Sequence, residues 1–320
     1  MKIAILDDYA DRALGLADWS GLGADITVFH DTLHDAQAVI DRLAPFDVVC
    51  LMRERTAFPR RVIEGLPNLK LIVTSGPRNA AIDVAAATVR GIPVSGTRSR
   101  KTTTSELAML MILAINRRLI PETEALRAGG WQAGLGRDLA GLTLGVIGLG
   151  NIGAQMAALG RAFGMDVAAW SQNLTEARCA EVGARRMDSL PALMAEADIS
   201  TVHLVLSARS AGLIGAEAFA AAKPGHVFVN TSRGPIVDQD ALVAALHSGA
   251  LHSAGLDVFD VEPLPDDSPL RDEDLIASGR LLLTPHLGYT TEATFRLFYE
   301  ETVEAIAAWQ SGVPVRLISA

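Results

Sequence analysis

Cysteine is scarce: Cys50 and Cys179 are the only two in 320 residues, too few for a disulfide framework in a chain of this size. Long apolar runs are missing as well. The longest, Leu107 to Ile115, falls far short of the roughly 20 residues a membrane span needs. Positive charge is in deficit, with 28 Lys and Arg against 37 Asp and Glu and a net charge of −9. No overall positive field therefore draws in nucleic-acid phosphates or an anionic membrane. A secretory leader is not apparent, because Met1-Lys2-Ile3-Ala4-Ile5-Leu6 runs straight into Asp7-Asp8 and reads as a first strand. No solenoid-period repeat or low-complexity tract is evident. What is present is core material: 49% hydrophobic and 20% charged residues exclude an intrinsically disordered chain. At about 150 residues per domain, the expectation is a soluble, cytoplasmic protein of two domains.

Short β-rich runs alternate with helical patterns along the first hundred residues. Strands are expected at Lys2–Leu6, Asp25–Phe29, Val48–Met52, Leu69–Thr74 and Pro93–Ser95, with helices such as His34–Leu43 and Asp83–Arg90 between them. This alternation predicts a parallel sheet covered by helices on both faces. Ser105 to Leu126 is apolar at helical spacing, with a kink or break expected at Pro121, and Gly129 to Gly141 reads as an irregular connector. A second series opens at Leu142, with strands expected at Leu144–Ile147, Asp166–Trp170, Ile199–Val205, Val227–Asn230, Ser253–Val258 and Leu281–Leu283. A long amphipathic helix, Thr290 to Trp309, and a short apolar tail at Val313–Ile318 close the chain. The fold class is α/β, with two doubly wound parallel-sheet domains.

The segment Gly148-Leu149-Gly150-Asn151-Ile152-Gly153 sets G-x-G-x-x-G directly after a strand and before an Ala-rich helix, the context that lifts this motif above coincidence. Gly148 permits the tight turn, Gly150 lets the backbone approach a pyrophosphate, and Gly153 lets helix pack on strand. The helix N-terminus adds N–H donors and a positive dipole end. At the end of the next strand stands Ser171, where an acid would bind the ribose of NAD. No arginine follows immediately to attract a 2′-phosphate, and Arg178 is the nearest cation downstream. The sequence leaves NAD and NADP both open, and no metal is expected.

Three further strand exits carry polar groups: Asn230-Thr231-Ser232-Arg233-Gly234, Leu256-Asp257-Val258-Phe259 with Glu262-Pro263, and Thr284-Pro285-His286-Leu287-Gly288. Carboxyl ends of strands line the ligand crevice of a doubly wound sheet. A guanidinium there offers a fork for a carboxylate and positive charge for a carbonyl oxygen turning negative. A histidine bonded to a carboxylate can be held protonated and deliver the proton. Singly, each is more often a loop arginine, an ordinary Glu-Pro turn or a structural histidine. Together they suit reversible reduction of a 2-oxo acid to a 2-hydroxy acid.

In their order and placement these four motifs resemble the D-isomer-specific 2-hydroxyacid dehydrogenases, as do Gly65-Leu66-Pro67-Asn68-Leu69-Lys70-Leu71-Ile72 and Ala81-Ile82-Asp83 in the first half. The resemblance implies a flavodoxin-like substrate domain, residues 1–100 plus 290–320, into which a Rossmann NAD(P)-binding domain, residues 101–289, is inserted. It implies a homodimer whose cleft closes on a small 2-oxo or 2-hydroxy acid. By motif position, Arg233 would bind and polarise the substrate, His286 would be the acid/base, and Glu262 would orient His286 and favour its protonated form. Asp257 would contact the nicotinamide carboxamide side, with Thr231, Ser232 and Gly288 also lining the cofactor. Arg53 matches a position near the substrate. The loop Ser75-Gly76-Pro77-Arg78-Asn79 departs from the family pattern: Pro77 has no N–H, so a carboxylate would fall to Ser75, Gly76 or Arg78. Arg98-Ser99-Arg100-Lys101 could focus an anion, but a solvated charged loop is the favoured reading. A second function class, a dinucleotide-sensing protein that recruits a partner, shares the fold; the full Arg233, Glu262 and His286 set favours the enzyme.

Overall fold

The first strands are short and nearly all apolar, as strands covered on both faces must be. In the computed structural model, which describes residues 1–319, β1 (Lys2–Ile5), β2 (Asp25–Val28), β3 (Val48–Leu51), β4 (Leu71–Thr74) and β5 (Val94–Gly96) form one parallel sheet in the order β2-β1-β3-β4-β5. Every residue of β3 and β4 is buried, and Phe58, Ile63, Leu66 and Ile72 anchor the core beside them. The order is that of a flavodoxin-like sheet. These strands cluster with the helix Glu292–Gln310 into one unit, from Met1 to Arg100 and again from Thr290 onward. That helix buries Phe295, Phe298 and Tyr299. The apolar tail is more than a loose end: Gly96 N donates to Arg316 O and Ile318 N to Val94 O, an antiparallel addition to β5.

Lys101–Tyr289 form the second unit. Its sheet has seven parallel strands: β6 (Thr143–Ile147), β7 (Asp166–Trp170), β8 (Arg185–Arg186), β9 (Ile199–Val202), β10 (Val227–Asn230), β11 (Ser253–Leu256) and β12 (Leu281–Leu283). They lie in the order β12-β11-β10-β9-β6-β7-β8. The chain starts at β6, runs outward to β8, and returns to the far side of β6 at β9. The strand order therefore reverses between β6 and β9, where such sheets bind their ligands. Apolar clusters cover both faces, one around Phe219, Phe228 and Leu246, the other around Met111, Ile112, Val146 and Met156.

The structure departs from several expectations, among them the strand Ser253–Val258, which ends at Leu256, and Leu69–Thr74, which starts at Leu71. The break in the helical stretch after Ser105 falls at Arg117–Arg118, not at Pro121: the helices are Thr103–Asn116 and Leu119–Arg127, and Arg118 takes a left-handed φ of 52°. Pro121 sits in the first turn of the second helix, where its missing N–H has no partner to lose. β9 stops at Val202, not Val205, because its neighbour β6 ends at Ile147; beyond that, Leu204 O and Val205 O accept from the hydroxyls of Ser232 and Ser210. The edge strand β8 was not anticipated, since Arg185-Arg186 carries no apolar pattern. Arg98 also does more than face water: its backbone N–H donates to Glu301 Oε2 at 2.6 Å and its side chain pairs with that buried carboxylate. Among the described residues no helix is long and apolar enough to cross a membrane.

Candidate active site

The glycine loop follows β6. Gly148 has φ 100°, a left-handed value that side chains resist, and a Cβ there would lie 2.7 Å from His203 O. Its N–H donates to Trp170 O at 2.8 Å, which draws the loop against the ends of both β7 and β9. Gly153 lies in the first turn of the helix Asn151–Ala162, where a Cβ would come within 2.0 Å of Gly148 O. Gly150 differs: a Cβ on it would meet nothing within 4 Å. The loop thus packs tightly where it holds helix to strand and stays open where a phosphate would meet the helix N-terminus. Asn151 is exposed and Ile152 half-buried at the start of that helix, and Ser171 follows the last residue of β7.

Three adjacent strands deliver the polar exits. Asn230 pairs with Leu256, and Leu256 with Leu283, so the segments after β10, β11 and β12 emerge side by side. After β10, the buried Asn230 braces the turn: its Oδ1 accepts from Ser232 N at 3.0 Å and its Nδ2 donates to Arg233 O at 3.0 Å. Arg233 Nη1 donates to Ser232 O at 2.7 Å. Thr231 is buried, and its hydroxyl has no partner among the described residues. A buried polar atom left unpaired is costly, so the atom suits a bound ligand. Gly234 explains how this turn meets the next: a Cβ there would lie 2.1 Å from the Phe259 carbonyl carbon.

After β11, Asp257 is fully buried and accepts from Thr284 Oγ1 (2.6 Å), Leu287 N (2.6 Å) and Gly288 N (2.9 Å). Burial pushes its carboxyl above the usual range, against the pull of these donors and of His286. The three bonds clamp the segment after β12 on either side of His286, which itself has a left-handed φ of 54°. Glu262 Oε1 accepts from Phe259 N at 3.0 Å, and Glu262 Oε2 lies 2.5 Å from His286 Nδ1. The side chains of this pair are 15% (His286) and 18% (Glu262) exposed, so water reaches it only in part. The Tyr289 ring meets the imidazole edge-on at 5.3 Å.

The family profile for the NAD-binding domain of D-isomer specific 2-hydroxyacid dehydrogenases matches residues 109–288. The chain belongs to that family. D-3-phosphoglycerate dehydrogenase of Mycobacterium leprae is 39% identical over 244 residues, covering 75% of this chain and 45% of that protein. The hydroxypyruvate reductase of Blautia hydrogenotrophica is 28% identical over the full length of both chains. A crystal structure of phosphoglycerate oxidoreductase from Vibrio cholerae O395 superposes with a TM-score of 0.90 at 34% identity, covering 98% of this chain and 100% of that one. The chain spans about half the length of the curated phosphoglycerate dehydrogenases it matches. The cofactor is NAD(P), in keeping with the family and with the open face at Gly150.

The residues expected at the substrate lie in the first unit. Arg53 follows β3 with a left-handed φ of 52°. Its backbone N–H donates to Ser75 Oγ at 2.9 Å, its carbonyl accepts from Asn79 Nδ2 at 2.5 Å, and its Nη1 reaches Ser75 O at 3.3 Å. Gly76 leaves room for that guanidinium, since a Cβ there would overlap Arg53 Nη1 at 1.8 Å. The Gly76 N–H is already given to Thr97 Oγ1 at 2.7 Å, and Arg78 is exposed. Asn79, Asn230, Gly234 and Thr284 stand in the motif segments but carried no expected role of their own. An asparagine ending an apolar strand, as in Val227-Phe228-Val229-Asn230, is the signal that points to a brace of the following turn.

Proposed function

We propose that this protein is an NAD(P)-dependent D-2-hydroxyacid dehydrogenase that reduces a small 2-oxo acid to its 2-hydroxy acid and runs the reverse reaction. The reading rests chiefly on the 2.5 Å contact of His286 Nδ1 with Glu262 Oε2, beside the strand that delivers Arg233. Bound nicotinamide supplies the hydride to the substrate carbonyl carbon, or takes it back. Arg233 holds the substrate carboxylate and draws charge onto the carbonyl oxygen. Glu262 accepts from Nδ1 and so gives proton delivery to Nε2, which protonates that oxygen as charge develops and recovers the proton in the oxidative direction. Asp257, expected to contact the nicotinamide, is fully buried with both oxygens occupied and instead keeps the His286 segment in place through two backbone N–H groups.

In this reading the unit Lys101–Tyr289 binds the dinucleotide through Gly148, Gly150, Asn151, Ile152, Gly153, Ser171, Thr231, Ser232 and Gly288. The other unit binds substrate, and Arg53 is its strongest anion contact, since Ser75 and Asn79 hold its backbone in an uncommon conformation. Ser75 and Arg78 are secondary candidates, whereas Gly76, expected to offer its N–H to a carboxylate, gives that N–H to Thr97 Oγ1 instead. The family relationship supports this reading. The test is oxidation of paired D- and L-2-hydroxy acids (glycerate, lactate, phenyllactate) with NAD+ and with NADP+, followed at the reduced-nicotinamide absorbance. Turnover of D isomers alone is expected. Equal turnover of both isomers, or of L isomers alone, would refute the proposal.

A further inference from the structure

The turn after β7 lacks the group that would select NAD. From Trp170 through Thr175 there is no carboxylate, whereas an NAD-selecting fold places one here to bind the ribose hydroxyls and repel a 2′-phosphate. Two arginines from different segments lie near this turn, Arg178 just downstream of it and Arg209 in contact with it. Arg178, on the helix Glu176–Val182, folds back on the glycine loop: its Nε donates to Leu149 O at 3.1 Å. Its Nη1 pairs with Glu181 Oε2 at 2.9 Å, and among the described residues no acceptor takes Nη2. Arg209, on the segment after β9, contacts the turn itself. Its Nη2 reaches Asn173 Oδ1 at 3.4 Å, and its carbonyl accepts from Gln172 Nε2 at 3.1 Å.

We infer that Ser171, Arg178 and Arg209 form a subsite for the 2′-phosphate of the cofactor, and that the protein selects NADP(H) over NAD(H). The inference rests on the dinucleotide reading of the glycine loop. Ser171 stands where the ribose-binding acid would be, and its hydroxyl can donate to a phosphate oxygen as an ionised acid cannot. The Leu149 contact ties Arg178 to the loop that receives the pyrophosphate, so its guanidinium is set at the adenosine end of the same ligand. Among the described residues Glu181 is the one acid that meets Arg178, but its side chain is 63% exposed. Such an exposed pair is weak, and a phosphate dianion forms the stronger charge-assisted bonds.

The test needs no turnover. Calorimetric titration of the whole protein with 2′,5′-ADP and with 5′-AMP isolates the 2′-phosphate, and 2′,5′-ADP should bind about 30-fold more tightly. The Arg178→Gln/Arg209→Gln variant should lose most of that ratio while 5′-AMP affinity stays put. Ser171→Asp, which puts a repelling carboxylate at the same place without touching either arginine, should abolish it. Equal binding of the two nucleotides by the parent protein would overturn the inference. So would a parallel loss of both in the arginine variants, which would mark Arg178 as a structural brace of the glycine loop. Binding of neither nucleotide would overturn the dinucleotide site as well, whereas 2′,5′-ADP selectivity without turnover of any 2-hydroxy acid would leave this inference standing and sink the proposed reaction.

Discussion

Gly150 and Gly153 lie three residues apart in one motif, yet alanine should damage the protein differently at each. At Gly150 the backbone φ is −75°, ordinary for an L residue, and a methyl group would meet no atom within 4 Å. Gly150→Ala should therefore leave unfolding free energy within about 0.5 kcal/mol of the parent. The same methyl fills the space through which a pyrophosphate approaches the helix N-terminus. Loss of one hydrogen bond to a charged group, about 1.5–3 kcal/mol, weakens cofactor binding by about 10- to 100-fold. At Gly153 the methyl would lie 2.0 Å from Gly148 O and 3.1 Å from Val146 Cγ1. The helix Asn151–Ala162 must then move off β6, which costs about 1–3 kcal/mol as overpacking; weaker cofactor binding follows from the damage. Urea unfolding without nucleotide, beside fluorescence titrations with NADH and NADPH, separates the two effects. Parental affinity in Gly150→Ala, or unfolding of Gly150→Ala earlier than Gly153→Ala, would refute the argument.

Two more outcomes follow from buried groups in the same unit. Burial lowers the His226 pKa to about 4, and the ring lies between Ala197 O (2.9 Å) and Ser200 Oγ (2.8 Å). It is neutral in the fold, while the unfolded chain takes up the proton below about pH 6.5. Its contribution is thus present at pH 7 and lost as the pH falls toward 4. Between pH 7 and 5 the loss is about 2 kcal/mol, and His226→Gln should show a pH dependence of unfolding shallower by that amount; an identical dependence would contradict the assignment. Thr231→Val removes a hydroxyl that bonds to nothing among the described residues, so the melting temperature should hold while cofactor binding weakens about 5- to 10-fold. A drop in melting temperature with unchanged binding would mean that the hydroxyl serves the fold.

Much of this architecture was legible because strand signals and chemical signals coincide. Asp166–Trp170, Val227–Asn230 and Leu281–Leu283 are apolar runs that end at polar residues, and each forms a strand over the expected residues. The glycine motif was legible for the same reason, since its spacing is imposed by contacts as close as Gly153 to Gly148. What escaped depends on partners distant in sequence. The end of β9 is set by the end of β6, fifty-odd residues earlier. Arg178 could be noted as a nearby cation, but its bond to Leu149 O arises only when the helix Glu176–Val182 folds beside the glycine loop. The clamp on the His286 segment joins Asp257 to residues about thirty positions on, and no local pattern encodes that. Pro121 shows the reverse case: a strong local signal was overruled because a first helical turn tolerates proline.

The central claim is that Arg233, Glu262 and His286 reduce a 2-oxo acid at the expense of a reduced nicotinamide. It is tested most directly by the loss of NADH and NADPH absorbance with glyoxylate, hydroxypyruvate, pyruvate and phenylpyruvate, run in parallel on the parent protein and on His286→Asn. The account predicts turnover by the parent with at least one of these acids. It also predicts that His286→Asn lowers that turnover by about 10²–10⁴-fold, with cofactor affinity nearly intact. Turnover in His286→Asn within a few-fold of the parent would contradict the acid/base assignment, and tight cofactor binding by a parent that reduces none of the four would contradict the reaction itself.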